Sequence, residues 1–233
     1  MKMKTLRRAF LASVPVMAGY LVLGTAYGIL LADKGYSLVW GLAQSLLVFA
    51  GSMQFVGINL LTGGASLVSA AVMTLLVNAR HLFYGFTMLE KYRNTGKMKP
   101  YLIFGLTDET FALVVNDAPA GVDRNLYFFL VTLFDQCWWV TGTLIGCLAG
   151  SAMTFNTEGI DFAMTALFVV IFTEQLLQAD DYVPAITGVA ASLLSLLLFG
   201  PDRFLIPAML AITAVLSAYS LKSTKKGGAR HDA

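Results

Sequence analysis

Leu38-Val-Trp-Gly-Leu-Ala-Gln-Ser-Leu-Leu-Val-Phe-Ala-Gly-Ser-Met-Gln-Phe-Val-Gly-Ile-Asn-Leu-Leu61 contains no charged residue, yet Gly51-Ser52-Met53-Gln54 interrupts it midway with small and polar residues. About 20 apolar residues suffice for a helix to cross a ~30 Å hydrocarbon layer. Unwound backbone survives at that depth only where protein or a water-filled cavity satisfies it. The run therefore reads as a broken or re-entrant helix of a membrane protein.

The rest of the chain agrees. Of its 233 residues, 57% are hydrophobic and 13% charged, and the mean hydropathy is +0.71, whereas a soluble domain carries about 25% charged residues. Apolar runs near 9–32, 38–61, 66–89, 100–117, 125–149, 160–178, 182–199 and 203–221 predict an all-α, polytopic protein of eight hydrophobic segments. The first run continues to Ala32 and is echoed later, so it reads as a span rather than a cleaved signal peptide. We expect one transmembrane domain over 1–221, with repeats near 9–117 and 125–221, and a disordered basic cytoplasmic tail over 222–233.

Repetition shows in short matches at a shared offset of about 120 residues: Gly24-Thr-Ala-Tyr-Gly28 resembles Gly142-Thr-Leu-Ile-Gly146, and Phe49 to Gln54 resembles Phe172 to Gln175. Basic residues gather at Lys2 to Arg8, Lys91 to Lys99 and Lys222 to Arg230, the mark of cytoplasmic flanks. If the first two clusters lie on one side, the first three segments make two crossings, with 38–61 as the broken or re-entrant one. Segment 100–117 then completes three crossings, and an odd number per half makes the two repeats inverted. The alternative is eight full spans with an exposed basic loop.

Three groups of residues carry candidate chemistry. Asn78, Arg80, His81 and Tyr84 share one helical face inside an apolar run, and Asp108 and Glu109 lie in another. An ionisable side chain at mid-bilayer costs roughly 2.5 to 3.5 kcal/mol on insertion scales, so function is the first explanation for keeping one there. One acid is expected to pair with Arg80 or His81 while the other faces a wet cavity; His81, Asp108, Glu109 and Glu174 are the candidate proton carriers. Ser52, Gln54 and Gln175 lie at the interruptions, where helix amino ends and free carbonyls suit a zwitterion. Competing structural readings are an ion-pair network, snorkelling of Arg80, and a tight small-residue helix crossing. Trp138 and Trp139 read as interfacial anchors, with Asp135 just inside the headgroup zone; Tyr20, Tyr27, Phe83 and Phe86 read as packing residues. Cys137 and Cys147, about 15 Å apart along a helix, are too distant for a disulfide. The Cys and His spacing suggests no metal site, and the net charge of +2 gives no argument for nucleic acid.

Phe49-Ala-Gly-Ser-Met-Gln-Phe55, Asn78-Ala-Arg-His-Leu-Phe-Tyr-Gly85, Gly105-Leu-Thr-Asp-Glu-Thr-Phe-Ala112 and Trp139-Val-Thr-Gly-Thr-Leu-Ile-Gly146 resemble the AzlC-type large subunit of branched-chain amino acid exporters. The resemblance covers about residues 10–221. It implies efflux of valine, leucine and isoleucine, with methionine a further candidate, across a bacterial inner membrane. It also implies a small four-span AzlD-type partner. Arg80, His81, Asp108 and Glu109 match the family's motifs directly, while Glu174 and Gln175 rest on the repeat. No cofactor is implied.

The sequence thus predicts a non-enzymatic, proton-coupled secondary exporter with both ends cytoplasmic. No Gly-x-x-x-x-Gly-Lys-Ser/Thr motif offers a nucleotide site. Alternatives are a channel or structural membrane subunit, and an intramembrane hydrolase using His81 with Ser52 or Asp108, although no Gly-x-Ser-x-Gly elbow surrounds Ser52.

Overall fold

The computed structural model describes residues 2–152, 169, 172, 173, 176, 177, 179, 181–200 and 204–228, and among them every regular element is helical. The chain divides into two compact units, Met1–Met164 and Thr165–Ala233. In the first lie α1 (Lys2–Asp33), α2 (Leu38–Leu47), α3 (Gly51–Thr62), α4 (Leu67–Asn78), α5 (Arg80–Met88), α6 (Lys99–Phe104), α7 (Asp108–Val114) and α8 (Arg124–Ala152).

Helices α1 and α8 are each long and apolar enough to span a bilayer, and they form the spine of the unit. Their register is parallel. Trp138 donates its indole N–H to Ser13 Oγ at 3.2 Å, the Tyr20 and Trp139 rings meet at 5.3 Å, Gly24 faces Gly142, and Gly28 faces Gly146. A Cβ on Gly28 would lie 2.5 Å from the Thr143 carbonyl oxygen and the Cys147 amide nitrogen, and one on Gly146 would collide with the Thr25 backbone. Small residues are what let two backbones touch. The two Gly-Thr-x-x-Gly motifs are therefore opposite faces of one crossing.

Between the spine helices, two hairpins of half-helices enter from opposite ends. In α2, Gly41 lies beside Cys147, Ser45 meets Thr143 at 2.8 Å, and the Leu46 carbonyl accepts from Gln136, so the chain descends toward the middle of α8. In α3, Gly51 packs on Trp139, the Phe55 ring meets Tyr27 at 5.6 Å, and Gly57 lies near Gln44, so it climbs back. The break expected in 38–61 is present, and the chain doubles back at it. The break falls three residues earlier than expected, over Val48–Ala50. Phe49 takes φ +45° there, with its ring buried against Tyr20 and Phe104. Gly51 to Gln54 form the first turn of α3 instead of unwinding; Gly51 is small because Trp139 lies over it.

The second hairpin corrects the sequence reading. Segment 100–117, expected to cross, is instead α6 and α7 joined at Gly105–Thr107, and both of its ends sit with the amino terminus of α8. Lys91 donates to the Val115 carbonyl, Arg124 donates to Asp117 Oδ1 at 2.6 Å and to the Lys91 carbonyl at 3.0 Å, and the Asp123 amide donates to Thr5 Oγ1. The start of α1, the 89–98 loop and the 115–123 loop thus share one end of the unit, which carries the first two basic clusters. Arg124 holds the Asp117 carboxyl below its ordinary range, chiefly by that hydrogen bond. Helices α4 and α5, expected as one helical segment over 66–89, run from the opposite end to this one as a single path bent by 51° at Ala79.

Two residues read as interfacial lie inside. Trp139 and Asp135 are buried on the face of α8 turned toward α1 and the hairpins, Asp135 at 0% exposure. Phe83 and Phe86, read as packing residues, are each 71% exposed, whereas Tyr27 is buried as expected. Cys137 and Cys147 are free thiols.

In the second unit α9 (Val183–Phe199) packs on α10 (Leu205–Gly228). Asp181 accepts from the Val183 amide and from the Tyr219 hydroxyl, tying the start of α9 to α10. Helix α10 is described as far as Gly228.

Candidate functional site

The hairpin tips meet halfway along the spine, at the bend of α4–α5. Phe49 and Phe104, one from each tip, stand 6.2 Å apart. Helices α3, α5 and α7 all begin there, so three helix amino ends, each with a partial positive charge, converge on one region. Thr107 caps α7 by accepting from the Thr110 amide. This cap places Asp108 and Glu109 in the first turn, where the helix dipole favours a carboxylate. Asp135 on α8 lies beside this level, eleven residues or about 16 Å in from Arg124, close to mid-depth of a bilayer.

Arg80 opens α5 and bridges the other two. Its Nη1 pairs with Asp108 Oδ2 at 3.0 Å, with side chains 32% and 30% exposed, and its Nη2 donates to Ser52 Oγ at 2.7 Å. Neighbouring groups remain unpartnered: Arg80 Nε, Asp108 Oδ1 and Asn78 Oδ1 are buried without a hydrogen bond. The His81 ring contacts the Asn78 carbonyl at 3.1 Å and stands edge-on to Tyr84. Tyr84 in turn stacks on Phe111 at 4.4 Å. Beside them an open apolar hollow of about 390 Å³ is lined by Asn78, His81, Gly85, Phe86, Leu89 and Ile103.

Glu109 turns the other way. The Tyr20 hydroxyl donates to its Oε2 at 2.7 Å and lies 2.8 Å from Thr107 Oγ1. Thr107 Oγ1 donates to Thr110 Oγ1 at 3.0 Å, and Thr110 Oγ1 donates to Asp135 Oδ2 at 2.8 Å. Asp135 Oδ1 is buried and unpartnered.

Of the residues singled out in the sequence, the structure gathers Ser52, Asn78, Arg80, His81, Tyr84, Asp108 and Glu109 around the hairpin tips. Gln54 belongs to the scaffold: its Nε2 donates to Ser45 Oγ, and its Oε1 accepts from the Trp139 indole. Glu174 and Gln175 lie outside the described residues. No hydrogen bond joins His81 to Ser52, so the geometry gives no nucleophile and base pair there. Beside the ion pair, Tyr20, Thr107, Thr110 and Asp135 form a buried polar string that the sequence reading did not single out as a unit. The one available signal was Asp135, an acid deep in a long apolar helix.

The sequence profile described as AzlC protein matches residues 15–153. A protein of Bacillus subtilis named branched-chain amino acid transport protein AzlC is 50% identical over 212 residues, covering 91% of this chain and 84% of that one. An uncharacterized membrane protein of Helicobacter pylori strain J99 is 40% identical, covering 92% and 94%. The inner membrane protein YgaZ of Escherichia coli is 28% identical, covering 89% and 88%. No solved structure matches the chain.

Proposed function

This chain belongs to the AzlC family, and from that membership we propose that it exports branched-chain amino acids across a bacterial cytoplasmic membrane by secondary active transport. Valine, leucine and isoleucine are the cargo, with methionine a further candidate. Both chain ends face the cytoplasm, protons drive the cycle, and a small four-span AzlD-type subunit completes the complex.

The observation that carries the reading is the Arg80–Asp108 ion pair between two hairpin tips, with unpartnered donors and acceptors beside it. An amino acid zwitterion carries the same two charges. Its carboxylate replaces Asp108 on the Arg80 fork, next to Ser52 and the amino end of α3, and its ammonium takes the released Asp108 carboxylate. One ion pair becomes two, so no charge is left alone in a medium where that is costly. The branched side chain has the apolar hollow beside His81 to enter. Glu109 sits on the same turn as Asp108, so a proton there senses the exchange. On this reading α1–α3 and α4–α7 form an inverted pair, each one crossing followed by a hairpin from the side just reached, in place of the inverted halves 9–117 and 125–221 expected from the sequence.

The test uses vesicles carrying the full chain with its four-span partner and preloaded with valine. Efflux follows an imposed proton gradient and is lost in Arg80→Gln. Export indifferent to a collapsed gradient removes the coupling; export intact in Arg80→Gln removes the site; export undiminished without the partner removes the two-subunit arrangement.

A further inference from the structure

The five oxygens of Glu109, Tyr20, Thr107, Thr110 and Asp135 form an unbroken line of four hydrogen-bonding contacts, at 2.7, 2.8, 3.0 and 2.8 Å. Counting hydrogens along it is decisive. Each hydroxyl supplies one, giving three for four contacts. With both carboxylates ionised, Tyr20 donates to Glu109, Thr107 to Thr110, and Thr110 to Asp135. The Tyr20–Thr107 contact then holds two oxygens at 2.8 Å with no hydrogen between them, at a buried position where an unmade bond is costly. One added proton completes the line and a second finds no acceptor along it.

We propose that Glu109 and Asp135 share one proton, passed between them through the hydroxyls of Tyr20, Thr107 and Thr110. When Glu109 carries it, Glu109 donates to Tyr20, Tyr20 to Thr107, Thr107 to Thr110, and Thr110 to the Asp135 carboxylate. When Asp135 carries it, every donation runs the other way. In the transfer each O–H bond of the line breaks as a new one forms on the neighbouring oxygen; one proton leaves one carboxyl, one arrives at the other, and no electron is exchanged. The backbone N–H of Thr110 donates to Thr107 Oγ1 in both states and holds the middle of the line in place.

The two ends face different surroundings. Glu109 adjoins Arg80 and Asp108, so binding at the ion pair changes the charge it feels. Asp135 lies in the spine helix α8, held by Thr110 from α7, with its other oxygen buried and unpartnered. The line thus joins the ion-pair site to a carboxyl in the spine. The relay supplies a path for the proton coupling proposed above and rests on that reading for its use in transport.

The decisive measurement is the infrared C=O stretch of protonated carboxyls in the purified full-length protein near neutral pH. An amide supplies the fourth hydrogen itself. In Glu109→Gln the Gln amide donates into the line and Asp135 ionises; in Asp135→Asn the amide donates from the other end and Glu109 ionises. The wild type is expected to show the band, and each single variant to lose it completely. A band that persists in either variant, or that is absent from the wild type, overturns the shared proton; neither depends on valine being carried.

The transport arm uses Thr110→Val, which removes the middle hydroxyl and leaves both acids. Valine exchange at equal pH is expected to continue, while efflux driven by a pH gradient falls on the order of a hundredfold, the low end of what a positioned proton-transfer group supplies. Thr110→Ser restores it. Tyr20→Phe is the second break in the line should Thr110→Val fail to accumulate. Gradient-driven efflux unchanged in both breaks overturns the relay. Absence of valine exchange in the wild type overturns the cargo assignment and leaves the infrared result standing.

Discussion

Arg80 holds Ser52 and Asp108 with two nitrogens of one rigid fork, which a lysine ammonium on a flexible stem cannot reproduce. A charge-assisted hydrogen bond contributes ~1.5–3 kcal/mol. Arg80→Lys is therefore expected to weaken apparent valine affinity about tenfold to a hundredfold, read as a raised half-saturating concentration in vesicle efflux, while protein level in the membrane stays near normal. Unchanged affinity would mean the fork holds no cargo. Arg80 and Asp108 were legible in the sequence because charge in an apolar run is conspicuous. Tyr20, Thr107 and Thr110 were not, since hydroxyls cost little on a hydropathy scale and their alignment exists only once α1, α7 and α8 are packed. Asp135 was misread because Trp138 and Trp139 beside it imitate a headgroup anchor, whereas their indoles find partners inside the protein, on Ser13 and Gln54.

Among elements, the α1–α8 seam sets the frame against which the hairpins are held. A side chain at Gly146 meets backbone, which has no rotamer to yield, so the helices must move apart. Overpacking of this kind costs about 1–3 kcal/mol. Gly146→Val is expected to lower the thermal midpoint of the purified protein, and Gly85→Ala, with no atom within contact distance of its added Cβ, to leave it nearly unchanged. Equal effects from both would show that the seam is not where stability resides. Hydropathy alone does not tell a crossing from a hairpin. Residues 100–117 are about as long as a span, and what folds them back is tertiary: Gly105 packs so closely on Thr132 that no side chain fits, and Lys91 and Arg124 fasten the returning end.

At the scale of the molecule, both basic clusters of the first unit fall at one end, together with the loops that Arg124 and Asn125 join. A cysteine placed at exposed Lys97, in a chain with Cys137 and Cys147 replaced, is expected to react with a membrane-impermeant thiol reagent from the cytoplasmic face only. So is one placed at Lys4. Labelling of these two positions from opposite faces would contradict the shared end. The positive-inside pattern made this arrangement legible in advance, because it depends on charge at the surface and not on how many segments intervene. The direction of α8 relative to α1 was not legible: it follows from the single full passage, α4–α5, that lies between them, which only the folded-back α6–α7 reveals.

Dividing the obstruction between two hairpins rooted at opposite faces has a mechanical result. Each is anchored at its own end of the unit and reaches no farther than the middle, so in the proposed cycle withdrawing one would uncover the centre to one compartment while the other stays seated. A canal lock works on the same condition, with two gates hung from separate walls and a chamber between. In the export cycle proposed above, cargo would then change level without a continuous leak, with the parallel α1–α8 spine as the fixed masonry.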